Sequence, residues 1–176
     1  MNLKSLLLFS LLGVSSAHFI LEVPTSIGFD DEFADIGPCG GFDQTNRTGL
    51  TQTKWPKKGG PIGVVSTHST AVWEFRASVV PFNNRWVNLS PNITQTAGLG
   101  SICFSNIPGP NNPLWYGRKG VIQVIQHGHH GALYQCALVK FKPWGPAITV
   151  NPETCFNDTG IALQWGNPEH EHDHEH

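Results

Sequence analysis

An all-β fold, an immunoglobulin-like β-sandwich with long loops and two disulfides, is predicted by three features of the sequence. Glycine and proline number 19 and 13 in 176 residues, while charged residues make up only 14%, a balance that favours short strands and many turns. Residues 71–79 alternate strictly, with Ala71, Trp73, Phe75, Ala77 and Val79 on one face and Val72, Glu74, Arg76 and Ser78 on the other. Such period-two alternation marks a half-buried antiparallel strand. No segment beyond the first 17 residues carries helical periodicity, so the remaining apolar runs read as strands of a sandwich.

Taken in order, Met1–Ala17 has the form of a secretory leader: Lys4, an apolar run from Leu6 to Val14, and small residues at Ser15 and Ala17. The run is shorter than the roughly 20 residues a membrane-spanning helix needs. Cleavage after Ala17 would make His18 the first residue of a domain covering 18–166, followed by a disordered His/acidic tail at 167–176. Phe19–Val23 is extended and bounded by Pro24. Gly28–Gly41 is an acidic, glycine-rich loop (Asp30, Asp31, Glu32, Asp35) pinned by Cys39, and Asp43–Gly60 is polar and reads as surface loop. Ile62–Ser66 is a strand, with His68 in the connection to 71–79. Ser101–Phe104, Val121–Gln126 and Ala132–Phe141 are further strands rich in β-branched and aromatic residues, and Pro108–Pro113 is a turn-rich loop.

Export agrees with the cysteines. Cys39, Cys103, Cys136 and Cys155 are even in number and lack CxxC spacing, which favours disulfides over zinc or redox chemistry. Of three possible connectivities, Cys39 with Cys136 and Cys103 with Cys155 is favoured. Glycosylation sequons occur at Asn46, Asn88, Asn92 and Asn157, the second weakened by Pro91. The chain ends in Glu169–His176 instead of the hydrophobic tail of a lipid-anchor signal, so a soluble, secreted monomer is expected. With a net charge of −2 and no basic patch visible, neither a polyanion in general nor nucleic acid is an expected partner.

The nine histidines fall unevenly: His18, His68, the cluster His127, His129 and His130, and four in the tail. An N-terminal histidine offers an amine and an imidazole to one metal ion, and a second imidazole completes a planar three-nitrogen clamp. That tetragonal nitrogen set suits Cu(II). The amine's ordinary pKa of about 7.7–8.0 means that binding releases a proton.

Four stretches in order carry a resemblance: Ala17-His18-Phe19 after the leader, Pro38-Cys39-Gly40-Gly41-Phe42, Gly59-Gly60-Pro61 leading to Thr67-His68-Ser69, and Leu133-Tyr134-Gln135-Cys136-Ala137. From His18 to Cys155 the chain resembles the fungal lytic-polysaccharide-monooxygenase-like copper proteins, the Bim-type copper acquisition factors. The resemblance implies a sandwich that holds one copper ion in a histidine brace, here His18 and His68, without oxidative polysaccharide cleavage. It also implies an aspartate ligand near the Cys-Ala stretch, where this chain has Leu138 and, upstream, histidines 127 to 130. His130 is the favoured replacement; His129, the acidic-loop residues Asp30, Asp31 and Asp35, or the brace with water alone are alternatives. A neutral imidazole there would leave the site one charge more positive and favour Cu(I).

The tail Glu169–His176 alternates histidine with carboxylate and is expected to gather metal loosely near the brace. Copper acquisition, transport or buffering is the leading function, with a membrane copper transporter or the cell wall as partner. The alternative is a lytic polysaccharide monooxygenase oxidising chitin or cellulose at the same copper, which would want a flat aromatic surface drawn from Trp55, Trp86, Trp115, Trp144 and Trp165.

Overall fold

The computed structural model describes residues 18–80, 85–129 and 131–166; the expected leader, His130 and the tail lie outside the described residues. Two sheets stack with the core between them. The smaller consists of β1 (Phe19–Val23), β3 (Gly60–Ser66) and β7 (Gly100–Ile107), with β3 in the middle. The larger runs in the order β10 (Ala162–Trp165), β6 (Ile93–Ala97), β4 (Ala71–Val79), β8 (Lys119–Gly128), β9 (Gly131–Lys142) and β2 (Thr53–Pro56), and β5 (Val87–Asn88) adds to β4. Single 3₁₀ turns occur at Asp31–Phe33 and Pro113–Trp115.

The alternation of residues 71–79 decides which face of β4 is inside. Trp73 and Phe75 are fully buried and meet Phe19 and Phe104 of the smaller sheet edge-on, with ring centroids 5.2 and 4.8 Å apart. Edge-on aromatic pairs add about 0.5–1.5 kcal/mol beyond the area they bury. On the outer face of the large sheet, Val121, Cys136 and Leu138 form a second apolar cluster with Ile27 and Cys39 of the acidic loop. The Cys39–Cys136 disulfide fastens that loop down, and Cys103–Cys155 ties β7 to the C-terminal segment. This is the connectivity favoured from sequence.

One expectation is overturned. Asp43–Gly60 is not all surface loop, because β2 within it runs parallel to β9 and buries Trp55 to 1% exposure. A strand of four residues with one inward apolar side chain leaves no period in the sequence, and its parallel partner is some 85 residues away. The strands β6 and β10 were likewise unread, since the inward Gln95 and the outward Thr94 of β6 are both polar yet buried.

Candidate metal centre

Antiparallel pairing of β1 with β3 sets Phe19 opposite Ser66, so the residue before β1 meets the residues after β3. Three hydrogen bonds close that junction. Thr67 donates to the His18 carbonyl through its N–H (3.1 Å) and its hydroxyl (2.8 Å), and the His18 nitrogen donates to Thr67 Oγ1 (2.9 Å). His68 is the next residue along. Its N–H donates to Ser66 Oγ at 3.1 Å, its carbonyl accepts from Gln95 Nε2 at 2.7 Å, and Gln126 Nε2 donates to the same Ser66 hydroxyl at 2.7 Å. The His68 ring lies over Gly128: a Cβ at that glycine would stand 3.2 Å from His68 Cε1.

β1 itself is fastened from the other sheet. Gln135, 2% exposed, accepts from the Leu21 N–H at 3.0 Å and donates to the Phe19 carbonyl. One amide thus holds a carbonyl and an N–H of the strand that follows His18.

Around the His18 ring stand Phe29, with centroids 5.6 Å apart, and Asp31, whose Oδ1 lies 3.7 Å from His18 Nδ1. That nitrogen is shielded from solvent and has no hydrogen-bond partner among the described residues. A buried orphan nitrogen is costly, and Nδ1 is the ring atom that a terminal histidine chelates with. Asp31 sits on the 3₁₀ turn capped by Asp30, whose carboxylate accepts from the Glu32 N–H at 3.0 Å. Asp35 lies further along the same loop and is exposed.

The histidine cluster is divided. His127 Nε2 lies 2.9 Å from Glu74 Oε2, and Arg76 Nε donates to Glu74 Oε1 at 2.5 Å. Burial pushes the Glu74 carboxyl up, but hydrogen bonds and charge from Arg76 and His127 outweigh it and hold the group below its ordinary value of 4.5. His127 is therefore committed to Glu74. His129 is exposed just past β8, and with His127, Thr94 and Gln95 it lines a cleft of about 280 Å³. No three histidine, cysteine or carboxylate side chains converge to hold an ion among the described residues. What the fold does is tie His18 to Thr67, the residue before His68, and set Asp31 at the His18 ring.

The tryptophans share no surface: Trp55 and Trp115 are core, Trp86 packs on the second cluster, and Trp144 and Trp165 are exposed at opposite edges of the large sheet. Of the sequons, Asn46, Asn88 and Asn157 are exposed and Asn92 half-buried. Sequence reasoning missed the buried glutamines Gln95, Gln126 and Gln135 and the role of Gly128. The one available signal was Gln126, a polar residue on the inward phase of Ile122 and Val124.

Known proteins resemble this chain along most of its length. A family model described as copper acquisition factor BIM1-like matches residues 16–160. Copper acquisition factor BIM1 of Cryptococcus neoformans var. grubii is 32% identical over 173 residues, covering 91% of this chain and 76% of that protein. The lytic polysaccharide monooxygenase-like protein X325 of Yarrowia lipolytica is 26% identical, covering 93% of this chain and 63% of its own length. An uncharacterised Aspergillus fumigatus protein is 29% identical, covering 85% and 62%. The chain thus spans about three fifths of the length of these last two curated relatives.

Proposed function

The chain belongs to the BIM1-like copper acquisition factor family, and on that premise we propose that it is a secreted protein holding one copper ion in a histidine brace of His18 and His68. The observation that carries this reading is the three-bond clamp of His18 to Thr67 beside a solvent-shielded His18 Nδ1 that has no hydrogen-bond partner among the described residues. In a chain that begins at His18, the nitrogen now donating to Thr67 becomes an amine. It keeps a proton for that bond and a lone pair for the ion, while Nδ1 and the His68 ring supply the other two nitrogens.

For the third donor, Asp31 is the candidate that the described geometry supports best. Two bonds of about 2 Å each, the usual length to nitrogen or oxygen, suffice to bridge the 3.7 Å from its Oδ1 to His18 Nδ1. A carboxylate donor lowers the charge of the site and favours Cu(II) over Cu(I), the opposite of what His130 would do. The His/acidic sequence of the tail suits it to gather metal for the brace, so a chain lacking 169–176 loads more slowly when copper is scarce.

Capture, buffering or transport of copper fits better than oxidative catalysis, because the exposed tryptophans do not gather into a face beside His18. The test has two parts. The N-terminal residue of the secreted protein must be His18, and copper binding must be lost in His18→Ala and His68→Ala variants that still fold. Oxidised oligosaccharides from copper-loaded protein incubated with a reductant and chitin or cellulose would instead establish the monooxygenase.

A further inference from the structure

Every lysine beyond residue 17 lies at one end of the sandwich. Lys119 of β8 pairs with Lys140 of β9, and Lys140 pairs with Lys54 of β2. The neighbouring Val121 and Leu138 belong to the outer cluster, so the lysines occupy the same outer face two residues further on. Three ammonium groups therefore form one row across three adjacent strands, each about 4.8 Å from the next at the backbone. Lys142 continues the row's face, and Lys57 and Lys58 stand in the turn before β3, where the Lys57 N–H donates to the Lys142 carbonyl at 2.9 Å. Arg47 crosses to the same strands, with Nη2 donating to the Gly120 carbonyl at 2.9 Å.

Trp144 rises from this group at 85% exposure. Clefts of about 520 and 530 Å³ flank it, lined by Lys54 and Lys142 on one side and Lys57 and Lys58 on the other. Neither cleft has a carboxylate in its lining, and among the described residues none of these lysines is in an ion pair. Glu22 and Glu153 line the next cleft, which shares Ile148 with the first. Lysine on an edge strand protects the edge, which accounts for Lys54 on β2. It does not account for Lys119 and Lys140 on interior strands, where like charges facing each other destabilise the sheet.

We propose that this lysine row and Trp144 bind an anionic polysaccharide, its acidic groups on the ammonium row and a sugar ring stacked on the indole. Charge complementarity favours a polyanion, and a lone exposed indole with two open flanks suits a sugar ring better than a bilayer. The two disulfides belong to an oxidising compartment, away from the anionic cytoplasmic leaflet that polybasic segments seek. β9 carries Lys142 at one end and Gly131, at the His68 end, at the other. Its twelve residues span roughly 40 Å. A glycan held here leaves the His18 end facing away from the polymer.

The probe is sodium polygalacturonate, in affinity electrophoresis of the full secreted chain without added copper. Retardation that exceeds that by neutral mannan and fades with salt is expected. The Lys54→Gln/Lys140→Gln double variant should weaken it by about tenfold or more, and Trp144→Ala by about threefold or more. Removing like-charge neighbours should not lower thermal stability, so a loss of binding in the double variant is not a loss of fold. Absence of retardation, or equal retardation of that variant, overturns the proposal. Equal or stronger binding to phosphatidylserine vesicles or to oligothymidylate overturns the choice of a glycan. Binding seen only in a chain ending at Gly166 would assign the face to the acidic tail and overturn it as well. None of these outcomes depends on the copper reading.

Discussion

His18 is tied to Thr67, the residue before His68, by hydrogen bonds that use no imidazole. The clamp uses the His18 backbone and both donors of Thr67. Asp31 and His130 as third donors make opposite predictions. If Asp31 is the donor, Asp31→Asn weakens Cu(II) binding by at least about tenfold, the scale on which even outer-shell partners act, while His130→Ala leaves it unchanged. Competition titration against a chelator reads both, and the reverse pattern restores His130. Gly128 sits under the His68 ring at a distance that a methyl group would crowd. Gly128→Ala should therefore keep the fold but tilt that ring, altering the hyperfine pattern of the copper-loaded protein's electron paramagnetic resonance spectrum. An unchanged spectrum would mean that the ring orientation is set elsewhere.

At the level of elements, β1 depends on the opposite sheet as much as on its neighbour β3. Gln135 satisfies both the Phe19 carbonyl and the Leu21 N–H from a buried position. Gln135→Leu leaves both groups unpaired and should cost roughly 1–3 kcal/mol for each, read by chemical denaturation, with copper affinity falling as the His18 end loosens. On the outer face of β4, folding lowers the Glu74 pKa. The stability Glu74 contributes is thus present above its ordinary value of 4.5 and is lost as pH falls through the lower folded value. Glu74→Gln should be less stable than the parent at pH 7, and the difference should vanish well below pH 4.5. A gap that persists in acid would show that the role of Glu74 is steric.

Across the whole molecule, two disulfides and a separation of charge stand out. Cys39–Cys136 closes 97 residues and Cys103–Cys155 closes 52. On the chain-entropy account each contributes about 4–5 kcal/mol, the longer loop slightly more. The longer one also fastens the acidic loop that carries Asp31. Cys39→Ala/Cys136→Ala should consequently reduce copper affinity as well as melting temperature, whereas Cys103→Ala/Cys155→Ala should lower melting temperature alone. A net charge of −2 conceals an acidic loop beside His18 and a lysine field at the other end. The absence of a basic patch inferred from sequence was wrong for this reason: the lysines are scattered along the chain, and strand register gathers them.

The sequence by itself determined the sandwich, because 71–79 and the neighbouring β-branched runs alternate locally and alternation needs no knowledge of partners. It also pointed to His18, since a histidine after a leader-like run is visible one residue at a time, whereas His68 entered as a ligand only through the family resemblance. Tertiary structure alone decided what surrounds them. The Thr67 clamp, the Gln135 bridge from β9 to β1, the approach of Asp31 and the lysine row all join residues far apart in the chain. Each depends on register, which a one-residue slip would reverse. Buried glutamines and a four-residue parallel strand leave no hydrophobic period to read, so the polar scaffold behind the two histidines emerges only when the sheets are stacked.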